Sequence, residues 1–144
     1  MEKISIRTTQ KEGFRRDRGT ALIEASLLLP ILVLLCVGVF EFGRILMIQE
    51  SLTNAAREGA RAAAIKLDNA QALSSAQTVS QNYLIQSGVD TSKVTIDPIF
   101  SLVDGQEAIQ ITIRFNYTST LYGWIPGIPQ ALDLRSRAVM RREA

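Results

Sequence analysis

The run TALIEASLLLPILVLLCVGVF, residues 20–40, limits what this chain can be more than any other feature. It is uninterrupted, apolar and carries a single charge, Glu24. Twenty-one helical residues at 1.5 Å per residue span roughly 30 Å, the thickness of a bilayer's hydrocarbon core. Ahead of it, Lys3, Arg7, Lys11, Arg15, Arg16 and Arg18 outnumber Glu2, Glu12 and Asp17, whereas residues 41–60 hold only Arg44 and Arg57 as cations. That asymmetry predicts a cytoplasmic N-terminus, a single-pass helix over 20–40 and an exported portion, 41–144. The run is longer than the apolar core of a cleavable secretory signal, about 7–15 residues. It passes straight into Glu41-Phe42-Gly43-Arg44 with no small-residue cleavage site, so retention in the membrane is expected.

The bulk composition narrows the function classes. Net charge is only +2, so no overall basic field invites nucleic acid. Cys36 is the sole cysteine and lies in the apolar run, so the exported part has to fold without a disulfide. The chain has no histidine, which removes histidine triads, histidine metal ligands and the usual general base. No phosphate-cradling glycine loop is present. No enzyme activity, cofactor, metal site or small-molecule substrate is expected.

Past the membrane the helical period persists. Ile45, Ile48, Leu52, Ala55, Ala56, Gly59, Ala60, Ala63 and Leu67 recur at spacings of three and four. A continuous helix over 20–67 would be about 72 Å long. Residues 1–18 lack any period and read as a disordered leader. Asp68-Asn69 suggests a break and a cap for a second helix, 70–86, with Ala72, Ala76, Val79 and Tyr83 as its apolar stripe. The period then changes to two. Val94 and Ile96 predict a short edge strand interrupted by Pro98, and Asp104-Gly105 predicts a turn. Ile109, Ile111, Ile113, Phe115 and Tyr117 alternate with Gln110, Thr112, Arg114 and Asn116, the clearest strand pattern in the chain. A Pro/Gly/aromatic loop, 118–131, precedes a last strand bearing Leu132, Leu134, Ala138 and Met140. The expected fold is therefore α+β: a long N-terminal transmembrane and stalk helix, a second helix, then a small three-stranded antiparallel sheet packed on the stalk.

Glu24 carries a physical cost. A carboxylate at the centre of a bilayer is penalised by roughly 2.5–3.5 kcal/mol on insertion scales. Two explanations are open: it snorkels to the cytoplasmic headgroups near the helix start, or it has a dedicated partner. Arg18-Gly19-Thr20-Ala21-Leu22-Ile23-Glu24 resembles the signal of type IV pilins and pseudopilins. That resemblance implies cleavage by a prepilin peptidase after Gly19, Thr20 as the new N-terminus, and Glu24 at the fifth mature position. The stretch RGTALIEASLLLPILVLL, the following VFEFGRIL, and SLTNAAREGARAAA at 51–64 together resemble the TadE-like family, minor pseudopilins of tight-adherence (Flp-type) pili and related secretion machines in bacteria. The resemblance implies the segments 1–19 leader, 20–40 transmembrane helix and 41–144 exported pseudopilin domain. It implies the bacterial inner membrane, with the C-terminal domain on the periplasmic side. The implied partners are the prepilin peptidase, an assembly platform with its cytoplasmic ATPase, other pilins, and membrane lipid. A competing class is an uncleaved membrane-anchored accessory or binding domain that never polymerises.

Two more features invite contact. Ala55, Gly59 and Ala63 form a small-residue row at i, i+4 spacing, beside Ala56, Ala60 and Ala64. Such a row fits packing against the chain's own sheet or against a neighbouring subunit. Tyr122 and Trp124, with Ile125 and Ile128, form either a contact loop or a lid folded over the sheet edge. Arg135, Arg137, Arg141 and Arg142 read as a solvated basic face.

Overall fold

The computed structural model describes residues 6–123 and 127–142, with side chains from Gly19 onward. Two compact units emerge, residues 1–40 and 41–144, and each is taken by itself. Helix α1 (Ile6–Ala64) supplies all the described structure of the first and the opening element of the second. It begins well before the expected start near Thr20. Residues 6–18 contain no proline and are rich in Lys, Arg, Glu and Gln, so a helix nucleated in the apolar run extends N-terminally at little cost per residue. Between residues 22 and 35 the leucines, isoleucines and valines are exposed all around the helix, not along one stripe. A helix apolar on every face belongs in lipid or in a large core.

From residue 41 the helix becomes one-sided. Ile48, Leu52, Ala55, Ala56, Ala60 and Ala63 are buried, while Arg57 and Arg61 remain outside. The helix ends at Ala64, one turn short of the expected Leu67, and Asp68 caps α2 (Asn69–Gln86) by accepting from the Gln71 N–H at 3.3 Å. The buried stripe of α2 is Ala72, Ala76, Ser80 and Leu84, a strict i, i+4 row; Val79 and Tyr83 flank it half-buried. The expected stripe therefore shifts by one position. Ser80 takes the buried place because it is small and its hydroxyl donates to the Ala55 carbonyl at 3.0 Å.

A single 3-10 turn, Thr91–Lys93, leads into strand β1 (Val94–Val103), followed by β2 (Gln106–Thr118) and β3 (Ala131–Arg141). The sheet is antiparallel in the order β1-β2-β3. Pro98 does not interrupt β1. It sits opposite Ile111 on an edge strand, where a missing N–H costs no ladder bond on the open side. Asp104 and Gly105 turn the chain with φ of 52° and 77°, the paired positive values of a tight hairpin. The alternation in β2 holds: Ile109, Ile111 and Ile113 are fully buried, with Phe115 and Tyr117 nearly so. Each isoleucine contributes about 1.5–3 kcal/mol by leaving water. They pack against Leu52, Leu84 and the alanines of both helices. Edge strand β3 is tied to α1 by the Gln49 amide donating to the Arg135 carbonyl (2.9 Å) and Ser136 donating to Thr53 (3.1 Å).

Candidate assembly and anchoring site

Gly19, Thr20 and Glu24 all lie on α1 and are exposed. Thr20 and Glu24, four residues apart, share one face of the helix. A side chain added at Gly19 would meet nothing within 4 Å. Glu24 makes no ion pair with another described side chain.

The small-residue row has an internal role. Gly59 is buried where α1, α2 and β2 meet. A Cβ there would lie 2.1 Å from Ser80 Oγ, 2.9 Å from the Ala76 carbonyl oxygen and 3.0 Å from Ile111 Cδ1. Ala55 and Ala63 are fully buried on either side. The row is consumed by packing within residues 41–144, one of the two readings its spacing allowed.

Glu41 is the residue that sequence reasoning passed over. It is a buried acid, with 7% of its surface exposed. Its carboxylate accepts from the Thr120 N–H at 2.7 Å and from the Ser119 hydroxyl at 3.1 Å. Ser119 Oγ in turn accepts from the Leu121 N–H, and the Ser119 N–H reaches the Gln130 carbonyl at the loop's base. One helix carboxylate thus holds the start of the 119–130 loop. Burial pushes its pKa up, but the Thr120 N–H and the hydroxyls around it outweigh that and leave it below the ordinary 4.5. Tyr117 shifts the other way: burial, then the neighbouring Glu41 charge, raise its phenol above 10.0. The Tyr117 hydroxyl itself is buried without hydrogen-bond geometry to an acceptor among the described residues. Its ring lies 5.9 Å from the Arg44 guanidinium carbon. A signal for Glu41 did exist: the core stripe Leu52, Ile48, Ile45, continued one turn back, lands on residue 41.

Tyr122 is half exposed in this loop, and Trp124 lies outside the described residues. The basic C-terminal stretch divides. Arg135 and Arg141 make exposed pairs with Asp133 and Asp104, as a solvated face would. Arg142 does not: its side chain is only 12% exposed. It donates to the carbonyls of Lys66 and Leu67, to Asn69 Oδ1 at 2.6 Å and to Glu107 at 3.1 Å. Phe100 stacks 5.6 Å from it. The guanidinium therefore satisfies the open carbonyls between the two helices and binds that connection to the sheet.

Comparison with known proteins bears on the helix. Residues 19–61 match the family described as TadE-like protein. The chain carries a TadE-like segment. The match runs from Gly19 through Glu24, the apolar run, Glu41 and Gly59, and stops before α2, the sheet and the Arg142 clasp. No curated protein and no solved structure matches the chain. One helix among the described residues, within Gly19–Ala64, is long and apolar enough to cross a membrane, and its most apolar stretch is wholly unburied. It is the candidate membrane anchor.

Proposed function

We propose that this chain is a minor pseudopilin-like protein of the bacterial inner membrane that contributes to building a tight-adherence pilus or a related secretion apparatus. The observation that carries the reading is the TadE-like match, which begins at Gly19 and takes in Glu24 and the apolar run. In this reading the N-terminus is cytoplasmic, residues 20–40 cross the bilayer and residues 41–144 are exported. A prepilin peptidase cuts after Gly19. The freed amine of Thr20, with an ordinary pKa of about 7.7–8.0, is mostly cationic at neutral pH. During assembly Glu24 of one copy pairs with that amine on another, so that each cancels a charge lipid disfavours. The assembly platform, its ATPase and sibling pilins are the partners this implies, and no catalytic step is assigned to the chain.

Sequencing the N-terminus of the membrane-purified protein tests the reading. Thr20 as the first residue supports it; Met1 supports the uncleaved anchored domain instead. The Glu24→Gln variant should still insert in the membrane but fail to enter filaments or support their assembly. Unchanged assembly by that variant removes the electrostatic step.

A further inference from the structure

We propose that the outer face of the three-stranded sheet docks an acidic protein surface, gripped by Arg114, Arg135 and Arg137. The inference concerns the folded unit 41–144 by itself and stands apart from the membrane and pilus reading.

Strand register places the arginines together. Ile113 is buried in the core, so Arg114 beside it lies on the opposite side of the sheet, and residues paired across strands share a face. Arg114 stands directly opposite Arg135, and Arg137 follows two residues along β3. Opposed residues have Cβ atoms about 4.5–5.5 Å apart, and like charges so placed weaken a sheet. Arg137 adds a third guanidinium about 7 Å along the strand. All three are exposed, and Arg114 and Arg137 make no ion pair with another described side chain. Arg135 has Asp133 at 3.3 Å, a solvent-exposed pair of small worth. Residues 41–144 hold ten cations and ten acids, so this cluster comes from placement and not from a general basic field.

Residue type narrows the partner. Every cation on this face is arginine, whereas Lys66 and Lys93 lie off the strands, between the helices and in the 3-10 turn. Either residue confers solubility, but only the planar fork of arginine grips a carboxylate through two parallel bonds. Beyond the arginines, Ile99 and Val139 both pair with Gln110 and are 50% and 41% exposed. Apolar side chains beside guanidinium groups fit a protein surface on which carboxylates adjoin apolar residues. No outward position of the three strands carries an aromatic ring on which a nucleic-acid base could stack. Two copies cannot meet through this face, because arginine would oppose arginine.

Fluorescence anisotropy of the full chain in a non-ionic detergent tests this, with a labelled synthetic peptide in which glutamate alternates with valine as the probe and empty micelles as the background. The peptide should bind at least tenfold more tightly than its counterpart with lysine in place of glutamate, and more weakly as salt rises. Arg114→Gln combined with Arg137→Gln should weaken binding at least tenfold. Arg57→Gln combined with Arg61→Gln removes equal charge from the exposed side of α1 and should leave binding unchanged. No binding by the parent protein, parity between the two peptides, or equal weakening by both double variants overturns the proposal. Tighter binding of inorganic polyphosphate than of the peptide also overturns it, by making the face a general polyanion site. Hydrogen exchange separates docking from a structural role: Arg114→Gln should raise protection of the β2 amides by about 1.4- to 5-fold, because a like-charge pair is removed. A fall in protection makes Arg114 a support of the sheet and refutes the argument.

Discussion

Replacing Gly59 by alanine pits two effects of opposite sign against each other. On a helix surface Gly59→Ala would stabilise by about 1 kcal/mol, because glycine is the costlier residue in a helix. In this structure the added Cβ lands 2.1 Å from Ser80 Oγ and 2.9 Å from the Ala76 carbonyl oxygen. Ser80 would have to rotate away and give up its bond to the Ala55 carbonyl, which leaves a buried hydroxyl unpaired at about 1–3 kcal/mol. The Ala76 backbone cannot rotate away, so α2 must also shift, an overpacking cost of about 1–3 kcal/mol. The net expectation is a loss of about 1–5 kcal/mol. Hydrogen exchange of the β2 amides in the detergent-solubilised full chain should then show protection falling by roughly 5- to 5000-fold. Combining Gly59→Ala with Ser80→Ala removes the nearest clash and should recover part of the loss. An unchanged or more stable Gly59→Ala protein refutes the reasoning and returns the small-residue row to contacts between subunits.

Glu41 and Arg142 give two further tests. Glu41 has a folded-state pKa below its ordinary 4.5, so its contribution is present above that value and fades as pH falls through the lower folded one. Acid titration of stability should show this loss in the parent protein and not in the Glu41→Gln variant. At neutral pH, Glu41→Ala should cost about 2–3 kcal/mol, read by the same exchange measurement. Arg142→Ala should cost about 2–4 kcal/mol by leaving the Lys66 and Leu67 carbonyls without their donor. Arg142→Lys should recover less than half of that, because an ammonium cannot reproduce the planar fork.

Elements whose physics is local were legible from residue order. The apolar run declares a helix long and apolar enough to cross a membrane. The two-residue alternation from Ile109 to Tyr117 declares a half-buried strand, and it became the central one. Asp104-Gly105 specified its turn through backbone conformation, and Asp68 its helix cap through one side-chain oxygen. Small residues at 55, 59 and 63 announced a close approach without naming what approaches.

What the linear order did not contain is which distant group completes each polar residue. Glu41 finds Ser119 and Thr120 nearly eighty positions away, and Arg142 finds carbonyls more than seventy positions back. Neither pairing leaves a periodic trace, because a hydrogen bond depends on where two atoms meet and not on spacing. The same holds for the choice of Ser80 over Val79 on α2, decided by a carbonyl on α1. Residue order alone settled the long apolar helix, the order of elements and the buried face of β2, since hydrophobic burial follows periodicity. Tertiary structure alone decided which charges are buried and where the loop is tied, since satisfying a polar group requires a partner at bonding distance.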